Sequence, residues 1–334
     1  MNKEPIISAQ NLSIGYPKSR NRNTSVLYED MSFNLYAGEL TCLLGSNGAG
    51  KSTLLRTLTG LQPSLRGEVN LREKNISKYS EQQLSTLLGL VLTDKTIVGG
   101  LTVSELVALG RYPYTGFFGR LTKEDHQIVE KAMNDVCILH KKDSYVAELS
   151  DGERQKVMIA KALAQECPII ILDEPTAFLD IVNRIEIMNL LHLIAIKQNK
   201  TILLSTHDIE LALTLADRLW LLARDKGLKC GVTEDIVLSD AINDYIGNST
   251  IVFDRQTGRF VSEHNITKEI YLEADGELFF WTKNFLSRKG YSLTDNATNE
   301  LSLKLSSSTG MSVIRNNRTE ILSSFEELDL WLKG

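Results

Sequence analysis

Polar and apolar residues alternate through the first forty residues, in the segments IISAQNLSIGY and SFNLYAGELTCLLG. A period of two is typical of half-buried β-strands, and Gly and Asn interrupt the pattern, so we expect several short strands here. The next segment, KSTLLRTLTG, has helical spacing, and we expect this helix to end at Gly60. GEVNL predicts one further short strand.

The pattern becomes helical between about residues 76 and 165. SEQQLSTLLGL, TVSELVALGRY, TKEDHQIVEKAMNDV and DGERQKVMIAKALAQ each place apolar residues at i, i+3 and i+4. Apolar β-runs return at 169–172, 202–204 and 219–222, and a helical segment separates the first two. Strand, helix and strand in this order indicate a parallel sheet covered on both faces. The predicted fold class is therefore α/β, with a mixed sheet, flanking helices and a helical insertion.

The C-terminal residues have a different organisation. Strand, helix, three strands and a final helix are predicted, in this order, by EIYLEA, GELFFWTKNFLSRKG, ELSLKLS, MSVIRN, RTEIL and SFEELDLWLKG. This pattern predicts a small α+β module with its own core. We expect a first domain over residues 1–263, with its helical subdomain at about 76–165, and an accessory module over 264–334.

Composition narrows the classes of protein that remain. A hydrophobic fraction of 43% and a charged fraction of 24% are ordinary for a soluble globular chain. The net charge of −5 argues against a nucleic-acid binder that works by bulk electrostatics. No stretch approaches the 18 apolar residues of a membrane span, so we expect any membrane role to depend on a partner.

The four cysteines are far apart in sequence, at Cys42, Cys137, Cys167 and Cys230. They form no CxxC pair and have no His pair nearby, so neither a disulfide framework nor a zinc site is favoured. Reduced thiols are the simpler interpretation, and they fit a cytosolic compartment.

The segment GSNGAGKST satisfies G-x-x-x-x-G-K-[ST] and lies between an apolar strand and a helix, which is the context of a phosphate-binding P-loop. Glycines let successive N–H groups curl towards phosphate oxygens, and the helix adds its positive end. Lys51 is expected to reach the β- and γ-phosphates, and the Ser52 hydroxyl to ligate magnesium. A chance match in a glycine-rich turn is the alternative, and the flanking strand and helix argue against it. The predicted ATP-binding residues here are Gly45, Ser46, Asn47, Gly48, Ala49, Gly50, Lys51, Ser52 and Thr53.

Two carboxylates follow the apolar run of IIILDEP. Asp173 is expected to hold the magnesium shell, and Glu174 to act as general base for the attacking water. Taken by itself, an Asp-Glu pair at the end of a strand more often belongs to a solvent-exposed turn without a catalytic role. Its position downstream of a P-loop favours the catalytic interpretation.

The segment LSDGERQ contains an S-x-x-E capping box, formed by Ser150 and Glu153, that starts a helix. Capping does not account for Gly152, which lowers stability in a first helical turn. At this point the chain resembles the ATPases of the ATP-binding-cassette (ABC) family, whose signature is LSGGQ or LSGGE. The resemblance implies that Ser150 and its helix face the γ-phosphate held by another subunit. Asp151 replaces a glycine of that signature, and we expect this change to be tolerated.

Further segments resemble the family's motifs in their usual order. Tyr16 corresponds to the aromatic residue that stacks on adenine, Asp180 to the D-loop, and His207 to the switch histidine that contacts the γ-phosphate. Taken alone, Tyr16 would be a packing residue and His207 a core or surface residue. The family also places a Gln after a strand that follows the P-loop, whereas this chain has Thr93 there. Asp94 is then the alternative outer-shell partner for magnesium.

Residues 100–116, GLTVSELVALGRYPYTG, and the segment THDIELALTLADRLWLL resemble ATPases that serve importers of iron-siderophores, haem or cobalamin. That resemblance implies hydrolysis of ATP with magnesium. It also implies an ATP-sandwich dimer with a second copy of the chain, two membrane permease subunits and, indirectly, a periplasmic or surface substrate-binding protein. The expected location is cytoplasmic, peripheral on the inner face of the cell membrane.

Two other functions compete with the importer ATPase. One is a soluble ABC-type ATPase acting on nucleic acid or ribosomes, which the acidic charge, the single cassette and the lack of coiled-coil heptads disfavour. The other is a protein that binds ATP without turnover, against which Glu174, His207 and Ser150 argue together. We therefore expect no nucleic-acid partner. The C-terminal module is either a packing appendage or a regulatory domain, and it lacks a Cys or His cluster that would suggest a metal sensor.

Overall fold

The computed structural model divides into two compact units, one formed by residues 1–248 with 253–259 and the other by residues 249–252 with 260–334. Each unit has a hydrophobic core of its own. Among the described residues, no helix is long and apolar enough to cross a membrane. The structure describes residues 4–17, 24–92, 100–116, 119–247, 250–255, 257–262, 268–296, 301–307, 310–315 and 318–333.

The first unit contains two sheets. An antiparallel sheet has the order β2-β1-β4-β5, and a second sheet has the order β10-β9-β3-β8-β7-β6. The strands are β1 (Pro5–Tyr16), β2 (Ser25–Tyr36), β3 (Leu40–Leu44), β4 (Arg66–Leu71), β5 (Lys74–Asn75), β6 (Leu88–Val91), β7 (Ile169–Asp173), β8 (Thr201–Ser205), β9 (Arg218–Ala223) and β10 (Gly227–Val232).

The second sheet is parallel from β9 to β6, and only β10 runs antiparallel at its edge. Every residue of β3, β7 and β8 is buried, as expected for parallel strands covered on both faces. The ring centroids of Phe33 on β2 and Trp220 on β9 lie 4.6 Å apart, so the two sheets share one core. This arrangement confirms the predicted α/β class with a mixed sheet.

Nine helices lie in the described part of the first unit, together with short 3₁₀ segments that include Leu109–Tyr114. Within the helical insertion, α3, α4 and α5 pack against one another. The helices are α1 (Lys51–Leu58), α2 (Glu81–Ser85), α3 (Val103–Ala108), α4 (Lys123–Asp135), α5 (Asp151–Ala164), α6 (Ile181–Lys197), α7 (Ile209–Leu215), α8 (Thr233–Leu238) and α9 (Ala241–Ile246).

The structure corrects two details of the N-terminal half. β1 and β2 are 12 residues long rather than short, because register shifts let the paired strands continue past irregular positions such as Asn11, whose φ is 48°. The segment SEQQLSTLLGL is not one helix, since α2 ends at Ser85 and β6 begins at Leu88. Hydrogen bonding of β6 to β7 overrides the local helical spacing there.

The remaining strands are β11 (Ile251–Asp254) and β12 (Arg259–Ser262), which form a two-stranded sheet, and then β13 (Lys268–Glu273), β14 (Tyr291–Thr294), β15 (Leu301–Ser307), β16 (Gly310–Arg315) and β17 (Arg318–Leu322). The last five make a sheet of order β14-β13-β15-β16-β17, accompanied by α10 (Gly276–Arg288) and α11 (Phe325–Lys333). The predicted strands and helices of this module are confirmed, and β14 is an additional strand that pairs in parallel with β13.

Candidate nucleotide-binding and hydrolysis site

The P-loop connects the end of β3 to the start of α1. Gly48 and Gly50 have φ of 74° and 101°, in the left-handed region that favours glycine. At Gly45, an added Cβ would lie 2.5 Å from the carbonyl oxygen of Leu222, so the backbone approaches β9 too closely for a side chain. The conformation of the loop therefore depends on three glycines, of which Gly45 and Gly50 define the motif.

Lys51 is the first residue of α1, and only 5% of it is exposed. Its Nζ donates hydrogen bonds to the carbonyl oxygens of Gly45 (3.0 Å) and Ser46 (3.3 Å). Burial lowers the pKa of the Lys51 ammonium group, while the charges of Glu174 and Asp173 oppose that shift. The loop thus holds a partly desolvated cation beside two carboxylates.

One serine connects these two carboxylates. The Ser205 hydroxyl at the end of β8 donates to Asp173 Oδ1 (2.6 Å) and accepts a hydrogen bond from the backbone N–H of Glu174 (2.9 Å). Asp173 is buried, whereas the Glu174 side chain is part-exposed. Glu174 has a φ of 49°, an unusual conformation for a residue other than glycine, and this turn redirects the chain at the end of β7.

Three predicted catalytic side chains converge at the same edge of the parallel sheet. Nε2 of His207 lies 2.7 Å from Glu174 Oε1 and 3.2 Å from Lys51 Nζ. Lys51 Nζ and Glu174 Oε1 are 3.8 Å apart. The convergence follows from topology, because β3 and β7 both neighbour β8 and parallel strands end at the same edge.

Tyr16 lies at the end of β1, and its hydroxyl is 3.3 Å from Thr53 Oγ1 in α1. The residue is 53% exposed, so an aromatic surface stands beside the P-loop helix and is accessible to a ligand. The predicted positions Thr93 and Asp94 lie outside the described residues.

The signature segment forms the start of α5. Ser150 caps this helix by accepting a hydrogen bond from the Glu153 N–H (3.2 Å), and Glu153 Oε2 accepts from the Ser150 N–H (3.0 Å). Asp151 lies in the first turn and pairs with Arg154 at 3.1 Å. Negative charge is favourable in a first helical turn, so Asp151 is locally stabilising.

Packing explains the glycine that capping leaves unexplained. A Cβ added to Gly152 would lie 2.5 Å from Asn183 Oδ1 in α6. Asn183 in turn donates from its backbone N–H and from Nδ2 to the carboxylate of Asp180, each at 2.8 Å. The bond from the Asn183 backbone is the largest of the contributions that lower the pKa of Asp180. The signature segment and the predicted D-loop aspartate are therefore connected through one asparagine.

Three contacts of the site were not predicted from the sequence. Ser205 holds the carboxylates, the Tyr28 hydroxyl donates to the carbonyl oxygen of Ala49, and Arg224 donates to the carbonyl oxygen of Gly48. A hydroxyl residue at the end of an apolar run, two positions before His207, is the one signal that could have indicated Ser205. Tyr28 and Arg224 carry no comparable local signal.

The oxygen donors at this site fit a small hard cation. The Ser52 hydroxyl in the first turn of α1 and the Asp173 carboxylate have the chemistry that Mg²⁺ prefers, and phosphate oxygens usually complete its coordination. Among the described residues, no group of three or more His, Cys, Asp or Glu side chains could hold a metal ion by itself. The donor set therefore suits magnesium delivered together with a nucleotide.

Comparison with known proteins agrees with this geometry. Residues 28–177 match the model of the ABC transporter family, and residues 267–333 match that of the iron ABC transporter C-terminal domain. An uncharacterized ABC transporter ATP-binding protein of Methanocaldococcus jannaschii is 37% identical over 79% of this chain and 89% of its own. The ferric enterobactin transport ATP-binding protein FepC of Escherichia coli is 36% identical, over 74% of this chain and 89% of FepC.

Solved structures agree as well. A transporter described as being of the metal-chelate ABC type, in an inward-facing conformation, has a TM-score of 0.65 at 27% identity, over 78% of this chain and 98% of its own. The dimeric ATP-binding cassette MJ0796, bound to ADP and phosphate, has a TM-score of 0.59 at 25% identity, over 68% and 98% of the two chains. From the P-loop, the convergence of Lys51, Glu174 and His207 and these matches together, the chain belongs to the ATP-binding proteins of the ABC transporter family, which bind and hydrolyse ATP.

Proposed function

We propose that this chain is the ATP-hydrolysing subunit of an importer that takes up an iron-siderophore or a related metal chelate. The observation that carries the catalytic part is the convergence of Lys51, Glu174 and His207 within 4 Å of one another beside the P-loop. The cargo class is supported by the match to the iron ABC transporter C-terminal domain and by relatives named for ferric enterobactin and iron(3+)-hydroxamate.

In the proposed mechanism, the P-loop amides and Lys51 bind the β- and γ-phosphates, and the ring of Tyr16 stacks on adenine. Glu174 accepts a proton from the water that attacks the γ-phosphate. His207, whose Nε2 lies 2.7 Å from Glu174 Oε1, contacts the γ-phosphate beside it. Ser52 and Asp173 would hold magnesium, which supplies positive charge to the phosphates when it is bound. A water-excluding environment strengthens each of these electrostatic interactions.

The proposed working assembly is a dimer of two such chains with two permease subunits, peripheral on the cytoplasmic face of the membrane. In this arrangement Ser150, Asp151, Gly152 and Glu153 face a nucleotide bound by the second copy, with Asp180 beside them. The dimeric MJ0796 cassette supports this form. Asn183 packs closely against Gly152 of the signature and donates hydrogen bonds to Asp180 of the D-loop, so one residue contacts both segments. A substrate-binding protein would act through the permease, and nothing in the chain's acidic charge favours nucleic acid.

We also propose that residues 1–263 form the ATPase domain and residues 264–334 an accessory module that stabilises packing or the dimer. Removal of residues 264–334 tests the module's role. A changed ATPase rate with unchanged dimerisation would indicate regulation, whereas weakened dimerisation would support the packing role.

Glu174→Gln tests the assignment of the general base. The amide keeps the size of the side chain but cannot accept the proton, so turnover is expected to fall about 100-fold or more while binding of magnesium-ATP persists. Glu124→Gln, an exposed position in the first turn of α4, is the matched control and should hydrolyse ATP at the wild-type rate. Turnover of Glu174→Gln near the wild-type rate would refute the assignment.

The cargo is tested by uptake. Cells carrying the chain with its permease are expected to accumulate a radiolabelled ferric siderophore, and cells carrying Glu174→Gln are expected not to. Haem and cobalamin are the comparison substrates, and preferential uptake of either one would overturn the siderophore assignment.

A further inference from the structure

The carbonyl oxygens of a P-loop need hydrogen-bond donors of their own. When successive backbone N–H groups turn inward to bind phosphate, the intervening carbonyl groups turn away from the ligand. The Lys51 ammonium group donates hydrogen bonds to two of these carbonyl oxygens, those of Gly45 and Ser46. The carbonyl groups of Gly48 and Ala49 receive hydrogen bonds from outside the loop.

Tyr28 on β2 is one external donor. Its hydroxyl donates to the carbonyl oxygen of Ala49, and only 4% of the residue is exposed. The ring also lies against the loop, because Tyr28 Cε2 would be 3.1 Å from a Cβ placed on Gly50. Burial raises the pKa of the Tyr28 hydroxyl above its ordinary value of 10.0, so the group remains a donor at physiological pH.

Arg224, just after β9, is the second external donor. Its Nη2 and Nε donate to the carbonyl oxygen of Gly48 at 2.9 and 3.2 Å. The guanidinium group is planar, so two N–H groups aimed at one oxygen hold the Gly48 peptide in a defined orientation. The two donors therefore fix adjacent peptide groups between Gly48 and Gly50.

Glycines flank both of these peptide groups. Gly48 and Gly50 both have φ in the left-handed region, and glycine has more backbone conformations available than any other residue. The Gly48–Ala49 peptide is held from both sides, because the Ala49 N–H donates to the Ser46 carbonyl at 3.1 Å while Arg224 donates to the Gly48 carbonyl. Without Tyr28, the Ala49–Gly50 peptide could rotate and turn the Gly50 N–H away from the phosphates. Holding them in advance lowers the entropy lost when a ligand binds.

We propose that Tyr28 and Arg224 are positioning residues for the nucleotide: they hold the outward carbonyl groups of Gly48 and Ala49. Arg224 thereby supports the turn that the Ala49 N–H closes onto Ser46, and Tyr28 keeps the Gly50 N–H directed at the phosphates. Neither side chain needs to touch the ligand. The proposal rests on nucleotide binding at the P-loop and deepens it, because it assigns part of the affinity to the antiparallel sheet and to the segment after β9.

Tyr28→Phe tests the proposal because it removes the hydroxyl and keeps the ring. Tyr79→Phe is the matched control, since the Tyr79 hydroxyl also donates to a backbone carbonyl, that of Leu71 at 3.1 Å, on β4 of the same sheet as β2. Both variants lose one hydrogen bond from a side chain to the backbone. Similar small decreases in melting temperature are expected for both, so stability alone does not distinguish them.

The distinguishing measurement is the affinity for magnesium-ADP, obtained by titration calorimetry because this ligand is not turned over. Tyr28→Phe is expected to raise the Kd about 3- to 10-fold, as the loss of one net hydrogen bond would, while Tyr79→Phe leaves it unchanged. The KM for ATP should rise with the Kd and kcat should stay within about twofold, since the chemical step keeps all its groups.

Arg224→Gln is expected to raise the Kd as well. The double variant should lose less affinity than the sum of the two single losses, because both donors restrain the same peptides. Unchanged affinity in Tyr28→Phe, or an equal loss in Tyr79→Phe, would overturn the proposal. Failure of the wild-type chain to bind magnesium-ADP would instead refute the proposed function itself, so the two failures are distinguishable.

Discussion

Arg111 is a buried charge that connects three parts of the helical insertion, and Arg111→Met is expected to destabilise the first unit strongly. The residue lies in the 3₁₀ segment Leu109–Tyr114 and is only 5% exposed. Its Nε donates to Asp125 Oδ1 in α4 at 2.8 Å. Its Nη1 donates to the carbonyl oxygen of Ala164 (2.8 Å) and to Glu166 Oε2 (2.7 Å), at the end of α5 and just beyond it.

The expected cost follows from how far each partner is buried. Breaking a buried ion pair by removing one partner typically costs about 3–5 kcal/mol. Asp125 keeps two hydrogen bonds from Thr122 in the variant, which reduces the penalty of leaving its carboxylate without Arg111. We therefore expect the free energy of unfolding to fall by about 2–4 kcal/mol in all. The Glu166 side chain is 52% exposed, so solvent screens its ion pair with Arg111, and this pair contributes less than about 1 kcal/mol of that change. Methionine retains much of the aliphatic volume, which separates the lost charge from lost packing.

Urea unfolding measures this change in the first unit. A Trp281→Phe/Trp331→Phe background leaves Trp220, buried in the core of the first unit, as the only tryptophan of the three. Its fluorescence should report a lower urea midpoint for Arg111→Met at an unchanged slope. Glu166→Gln is the control and should lose less than about 1 kcal/mol. A loss in Arg111→Met no larger than that of Glu166→Gln would refute the assignment of Arg111 as a buried connection.

Two further predictions concern single contacts. Gly152→Ala should lower the free energy of unfolding of the first unit, measured in urea, by about 1 kcal/mol. The new methyl group would overpack against Asn183, and this outweighs the better helix propensity of alanine. A variant more stable than wild type would contradict the close approach of Asn183. The Thr122 hydroxyl, its backbone N–H and then Arg111 lower the pKa of Asp125 from 3.8 to about 2. The stability advantage of wild type over Asp125→Asn should therefore be complete above pH 3.8 and be lost as the pH falls through 2, and a pH-independent difference would contradict it.

The sequence offered candidates for the catalytic groups because each lies in a short local pattern. The P-loop, the acidic pair and the signature combine a residue type with a flanking strand or helix, so Lys51, Glu174 and Ser150 could be singled out as candidates without a structure. The geometry that brings Lys51, Glu174 and His207 together follows from the parallel strand order. The apolar runs indicated a parallel sheet, but they did not indicate the order of its strands. The precise roles of these residues stay predictions that the proposed variants test.

The remaining features depend on contacts between distant positions. Tyr28 bonds to a residue 21 positions away and Arg224 to one 176 positions away, and neither lies in a pattern that indicates a partner. β6 was merged with a helix because LGLV is too short for its periodicity to distinguish strand from helix, and only pairing with β7 decides between them. β14 was not predicted either, because the four-residue segment YSLT is too short to show a period of two. Its pairing with β13 makes it a strand.

The hydroxyl of Ser205 has a consequence for how this site can evolve. A single oxygen serves both the buried aspartate and the peptide of the following glutamate, and His207 lies two residues further along the same segment. With the roles proposed above for Asp173 and Glu174, substitution of Ser205 would disturb magnesium binding and proton abstraction together. A change at Ser205 therefore cannot alter one of these two proposed activities without altering the other.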